Sequence, residues 1–234
     1  MMLPPCSILE DMFDSGYAED GTGGKIPLHS NISRRHARVL YEMVRRHKPV
    51  MCVEIGMCLG ISALSILTAL HENANGGRLI SIDPLQTDPA HEKGIGLLNV
   101  KRAGLDGLHT LIEKKSYEAL PALLADGLQV DFGYIDGWHS FDYALLDFFY
   151  LDKMLSVSGI VGFNDCGWRC VHKVLKFVQR YRRYREMDVG IAPSYKASNH
   201  LFSLIKRIEG RISNDRYFQK LEDWEPEGGF YTHF

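Results

Sequence analysis

The chain has 234 residues, 45% of them hydrophobic and 24% charged, and 27 basic against 29 acidic side chains leave a formal charge of −2. That length fits one domain, or one domain with a small appendage, able to bury a core without disulfides or structural metal. The charge balance argues against a general binder of nucleic acid or anionic membrane, and an odd count of five cysteines does not suggest a disulfide framework.

No apolar run approaches the ~18–20 residues that span a bilayer, and residues 1–10 show no basic segment ahead of an apolar one. The expectation is a cytoplasmic protein with reduced thiols and no membrane partner. Residues 14–31 are rich in Gly, Asp, Ser and Asn, with Gly21, Gly23 and Gly24 close together. They predict a mobile loop or lid, so residues 1–32 are read as an N-terminal segment ahead of the main domain.

Ser33 has the character of a helix N-cap, and 34–47 place Ala37, Leu40, Tyr41 and Val44 on one helical face before Pro49 stops the helix. From there strands and helices alternate. Residues 50–55, 78–82, 108–113, 130–135 and 159–163 read as strands. Residues 61–70, 92–103, 117–125, 141–155 and 171–181 read as helices. Such alternation with short connections predicts right-handed crossovers and a parallel sheet covered on both faces. Residues 184–191 and 200–206 then read as two strands with no helix between them, a terminal hairpin that adds an antiparallel strand. The polar, aromatic tail from 210 to 234 has no placement in this pattern.

An open parallel sheet binds ligands outside the carboxyl ends of its strands. The first strand leads into Glu54-Ile-Gly56-Met-Cys-Leu-Gly60-Ile-Ser62. Gly56 and Gly60 permit a tight turn and a close backbone approach to a ligand, and the following helix offers free amides. The second strand ends at Asp83, where an acid can take ribose hydroxyls. The loop lacks the glycine spacing of a dinucleotide fold and the lysine of a P-loop. A nucleoside with little or no phosphate fits better, and S-adenosylmethionine (SAM) is such a ligand.

The stretch Val53-Glu-Ile-Gly-Met-Cys-Leu-Gly-Ile-Ser-Ala-Leu64 resembles the glycine motif of catechol-type and caffeoyl-CoA-type O-methyltransferases. Tyr134-Ile-Asp-Gly-Trp-His-Ser-Phe-Asp142 and Gly159-Ile-Val-Gly-Phe-Asn-Asp165 resemble the same group, and bacterial relatives that methylate natural-product sugars more closely still. The resemblance spans roughly residues 30–180. It implies a class I, Rossmann-like methyltransferase domain over 33–209, with a mostly parallel seven-stranded sheet, an antiparallel C-terminal hairpin strand and a tail over 210–234. It implies that Glu54, Gly56, Gly60 and Ser62 line the methionine end of SAM, that Asp83 holds the ribose and that Ser116 lies near the adenine. Asp136 would border the cofactor and take part in catalysis. Asp136, Asn164 and Asp165 would hold Mg²⁺ or another divalent cation. His139 stands where the catechol type has lysine, and would be the general base or a further metal ligand. The Asn164–Asp165 order reverses that of the catechol type.

The chemistry of these residue types agrees. Mg²⁺ takes oxygen ligands and keeps open positions, a hydroxyl on such a cation deprotonates more easily, and imidazole titrates near neutrality. The expected acceptor is a small hydroxylated molecule, with Trp138, Trp168 and Trp224 as candidate walls and a homodimer as the base-rate assembly. Other readings are a metal-independent methyltransferase acting on nitrogen or carboxylate, a nucleoside-binding module without catalysis, and an NAD-linked oxidoreductase. Cys166, Cys170 and His172 lack the second ligand pair of a structural zinc site. The basic and aromatic run at 180–185 reads as a solvated helix end, and 148–150 reads as core.

Overall fold

The computed structural model describes residues 2–190 and 215–230. Helix α1 (Ser7–Ser15) and a two-stranded antiparallel hairpin, β1 (Tyr17–Glu19) with β2 (Lys25–Pro27), precede the main sheet. Within the stretch predicted as a loop over 14–31, residues 17–27 therefore form a small hairpin, and the residues after it remain a loop. Leu9, Met12 and Ala18 are buried in the core with the helices of one sheet face. Apolar burial explains why this segment is packed.

Helix α2 (Arg34–His47) has the predicted bounds, and the Ser33 hydroxyl accepts the amide of His36 at 3.3 Å. The alternating region follows as β3 (Met51–Ile55), α3 (Ile61–Asn73), β4 (Arg78–Ile82), α4 (Ile95–Arg102), β5 (His109–Ile112), α5 (Ser116–Ala125), β6 (Val130–Ile135), α6 (Phe141–Met154), β7 (Leu155–Phe163) and α7 (Arg169–Tyr181). Helix α4 starts three residues later than predicted, because Gly94 takes a left-handed conformation at its N-cap.

Two further strands, β8 (Tyr184–Met187) and β9 (Arg216–Lys220), complete a seven-stranded sheet of order β5-β4-β3-β6-β7-β9-β8 among the described residues. Strands β3 to β7 are mutually parallel, while β9 runs antiparallel to both β7 and β8. The antiparallel C-terminal strand is as predicted, but its residues come from the tail. The predicted strand at 200–206 lies outside the described residues.

Strand residues alternate between two cores, as the two-residue period of a sheet requires. Cys52, Phe132, Tyr134, Ile160 and Tyr217 face the α1–α4 side. Val53, Ile135, Val161, Phe163 and Phe218 face the α5–α7 side. Burial on both faces is why these strands read as continuous apolar runs. The chain order reverses between β3, whose next strand β4 lies on one side, and β6, which lies on the other. The carboxyl ends of β3 and β6 therefore open the crevice where such sheets take ligands.

Candidate active site

The β3 and β6 ends meet closely. The Asp136 amide donates to Ile55 O at 2.9 Å, and a Cβ on Gly56 would stand 2.1 Å from the Asp136 carbonyl oxygen. Gly56 has φ +87° and Gly60 φ +86°, so both glycines supply backbone that other residues rarely adopt. Gly60 also packs against the backbone of Gly96.

Asp83 organises the loop between the two glycines. Its Oδ2 accepts the amides of Met57 and Cys58, each at 2.9 Å, and its Oδ1 accepts that of Leu85 at 2.9 Å. Glu54 lies beneath the loop, fully buried. Its Oε1 accepts the Ser81 hydroxyl at 2.5 Å, and that hydroxyl is also 2.7 Å from His109 Nε2. Burial pushes the Glu54 carboxyl up to about 8, and hydrogen bonds from Ser81 and Ser62 offset this only in part.

A cleft of about 1300 Å³ opens over these strand ends. It exceeds the roughly 300–1,000 Å³ usual for one small ligand, so it has room for two. Gly56, Ser62, Asp83, Ser116, Asp136, His139, Asn164 and Asp165 line it. Glu54 and Gly60, the remaining two of the predicted site residues, support the loop from below. Trp138 and Trp168 stand at the cleft, 71% and 57% exposed. Trp224 does not join them, and packs instead on Phe230 with ring centroids 4.6 Å apart.

His139 Nε2 lies 3.1 Å from Asp165 Oδ2 and 3.5 Å from Asp136 Oδ1. This nitrogen is buried and neither contact has hydrogen-bond alignment, so it is close to two acceptors and satisfied by none. Burial works against a charged imidazole here, but the two carboxylates outweigh it and hold the pKa well above the ordinary histidine value. Burial likewise raises Asp136, against the pull of His139. The Cys170 thiol donates to the His139 carbonyl at 2.6 Å and fixes the backbone behind the ring. Asp165 has φ +51°, a left-handed turn that brings its side chain back toward the cleft.

Asn164 borders the cleft but sends its Nδ2 to Asp215 Oδ1, at 2.8 Å. Asp215 also accepts the Tyr134 hydroxyl at 3.2 Å, and burial pushes it up to about 8. His36 approaches the same carboxylate, with Nδ1 at 3.7 Å, and lines the cleft from α2. Sequence reasoning missed His36 and Asp215. A histidine on the apolar face of α2 was the available signal for the first; the second lies in the tail and had none. Cys166 donates to Phe163 O at 3.1 Å while Cys170 bonds His139 O, so these thiols serve backbone carbonyls rather than a shared metal. All five cysteines are free.

Residues 53–166, which contain the glycine loop, Asp83, Asp136, His139 and Asp165, match a family model described as a methyltransferase domain. This region is similar to methyltransferase domains. A curated protein of Arabidopsis thaliana, named for the caffeoyl-CoA O-methyltransferases, is 32% identical over 120 residues, which cover 50% of this chain and 46% of that relative. The chain thus aligns with about half the length of the relative. The fold recurs in solved structures. An O-methyltransferase from Bacillus cereus in complex with SAH superposes with a TM-score of 0.69 at 14% identity, covering 95% of this chain and 94% of that one. The O-methyltransferase TomG from Streptomyces achromogenes, in complex with SAM, gives 0.63 at 14% identity, covering 82% of each chain. Among the described residues no helix is long and apolar enough to cross a membrane.

Proposed function

We propose that the chain is a SAM-dependent O-methyltransferase acting on a small hydroxylated acceptor with the help of a divalent cation. The observation that carries the reading is His139 Nε2, set between Asp136 and Asp165 on the wall of the same cleft that holds the glycine loop and Asp83. One side of the cleft suits a nucleoside; the other suits removal of a proton from a hydroxyl.

In this reading Asp83 takes the cofactor ribose while keeping the loop amides, since a carboxylate oxygen has more than one lone pair. Ser116 borders the adenine. Ser62 and the 56–60 loop border the methionine end, with Glu54 beneath. The acceptor oxygen attacks the SAM methyl carbon, the carbon–sulfur bond breaks and S-adenosylhomocysteine leaves. His139 receives the hydroxyl proton at Nε2 and passes it to solvent. The residues' main contribution is to hold the two reactants in line.

The donor set fits a hard divalent cation. Asp136 and Asp165 offer oxygen atoms to one region of the cleft, and Asn164 borders it. Bound there, such an ion would lower the pKa of the acceptor hydroxyl. With Asp136 and Asp165 so engaged, they would no longer hold the imidazole protonated, and His139 would be free to act as base. Trp138 and Trp168 offer apolar surface to the acceptor.

The test is methyl transfer from labelled SAM to a panel of phenols and sugar hydroxyls, with Mg²⁺ or with EDTA, read by mass spectrometry. A methyl ether formed with Mg²⁺ and lost with EDTA is the expected result. Activity that survives EDTA would move the reading to metal-free catalysis by the same residues. Binding of SAM without transfer to any acceptor would favour a nucleoside-binding module.

A further inference from the structure

A different group of side chains converges on another part of the cleft. His29 comes from the loop after β2, Cys58 from the glycine loop and Glu92 from the turn before α4. Their ligand atoms, one imidazole nitrogen, one sulfur and one carboxylate oxygen, all lie within 4.8 Å of one another. Among the described residues no other trio of His, Cys, Asp and Glu meets that condition.

One of the distances is near that of a metal site. Cys58 Sγ stands 3.5 Å from Glu92 Oε2. In a tetrahedral zinc site, with Zn–S about 2.3 Å and Zn–N or Zn–O about 2.0–2.2 Å, neighbouring ligand atoms are about 3.3–3.6 Å apart. The sulfur and oxygen already have that spacing. His29 is exposed and has room to close the remaining distance. Cys58 is held at φ +47°, with its amide fixed by Asp83, so the thiol is presented by rigid backbone. Among the described residues, the two cysteines that sequence spacing brought forward, Cys166 and Cys170, belong to no such group.

We propose that His29, Cys58 and Glu92 form a site for a borderline divalent cation of the Zn²⁺ class, with its fourth position open to water. The mixed sulfur, nitrogen and oxygen set selects such an ion over Mg²⁺, which takes oxygen ligands. On binding, a metal–sulfur bond forms and the thiol proton passes to solvent. The bound ion would tie the 28–33 segment to the glycine loop at the rim of the cleft. The inference stands on these three residues and does not depend on methyl transfer.

Co²⁺ titrated into the reduced full-length chain tests it, because a cobalt–thiolate bond gives a charge-transfer band in the near ultraviolet. The expected result is one Co²⁺ per chain with that band, displaced by Zn²⁺ and not by Mg²⁺. Cys58→Ser should abolish the band and Cys170→Ser should keep it. His29→Gln, an exposed position that should not disturb folding, should weaken Co²⁺ binding at least about tenfold. Absence of the band at saturating Co²⁺, its persistence in folded Cys58→Ser, or unchanged affinity in His29→Gln would each overturn the proposal.

Discussion

Asp165 Oδ2 lies 3.1 Å from His139 Nε2, although the two residues sit 26 positions apart at the ends of different strands. Pairing of β6 with β7 brings them together, and Asp136 approaches the same nitrogen from the β6 end. If this imidazole takes the acceptor's proton, His139→Ala should lower turnover by about 10²–10⁴-fold. The affinity for S-adenosylhomocysteine should stay within about threefold, since the lost interaction belongs to the transition state. Steady-state kinetics and calorimetry on the same preparation separate the two effects. Equal loss of both would place His139 in cofactor binding instead.

The two carboxylates hold the imidazole protonated in the metal-free protein. Asp165→Asn removes one of them. The His139 pKa should then move down toward the ordinary value of ~6.5, by an amount that NMR titration of its ring protons reads directly. Saturating Mg²⁺ should move it in the same direction in the wild-type protein. An unmoved resonance in both experiments would separate His139 from the carboxylates in solution.

Asp83 carries two duties, one to the Met57 and Cys58 amides and one proposed for the ribose. Asp83→Ala leaves those buried or half-buried amides without their acceptor, at a cost of about 1–3 kcal/mol each for a fully buried donor. The expected outcome is a lower melting temperature together with at least about tenfold weaker SAM binding, given that a hydrogen bond to a charged group contributes about 1.5–3 kcal/mol. A lower melting temperature with unchanged SAM affinity would confine Asp83 to the loop.

Asp147 on α6 is 1% exposed and has an oxygen with no partner among the described residues. Burial pushes its carboxyl up to about 7, with Ser116 offsetting part of the effect. The sign follows from linkage. Between the unfolded value near ~3.9 and about 7 the native state retains a proton that the unfolded chain has lost, so stability falls as pH rises through that window. Asp147→Asn removes this dependence. The stability of the variant relative to wild type should therefore increase by about 2–4 kcal/mol between pH 4 and pH 8, measured by denaturant unfolding. A difference that does not change with pH would contradict a buried neutral Asp147.

The parts of the fold legible in the sequence were those set by local pattern. Ser33 and Pro49 bound α2 because capping and proline sterics act within a few residues. The parallel strands were legible because burial on both faces makes each a short apolar run. Strand β9 was not, because its place between β7 and β8 is set by pairing with residues at least 30 positions earlier and by no local signal. Helix α1 was obscured by Glu10, Asp11 and Asp14, although Leu9 and Met12 anchor it in the core. At the site, strand ends marked Asp83, Asp136 and Asp165, since topology places such positions in one crevice. The His29, Cys58 and Glu92 group was not legible. Its members come from three separate loops, and only the packed structure brings them together.

Calorimetric titration of S-adenosylhomocysteine into the full chain, beside NAD as a control, tests the central claim most directly. The account predicts saturable one-to-one binding of S-adenosylhomocysteine, weakened by Asp83→Ala and essentially kept by His139→Ala, with no binding of NAD. No heat and no thermal stabilisation at saturating S-adenosylhomocysteine, or binding of NAD in its place, would contradict it.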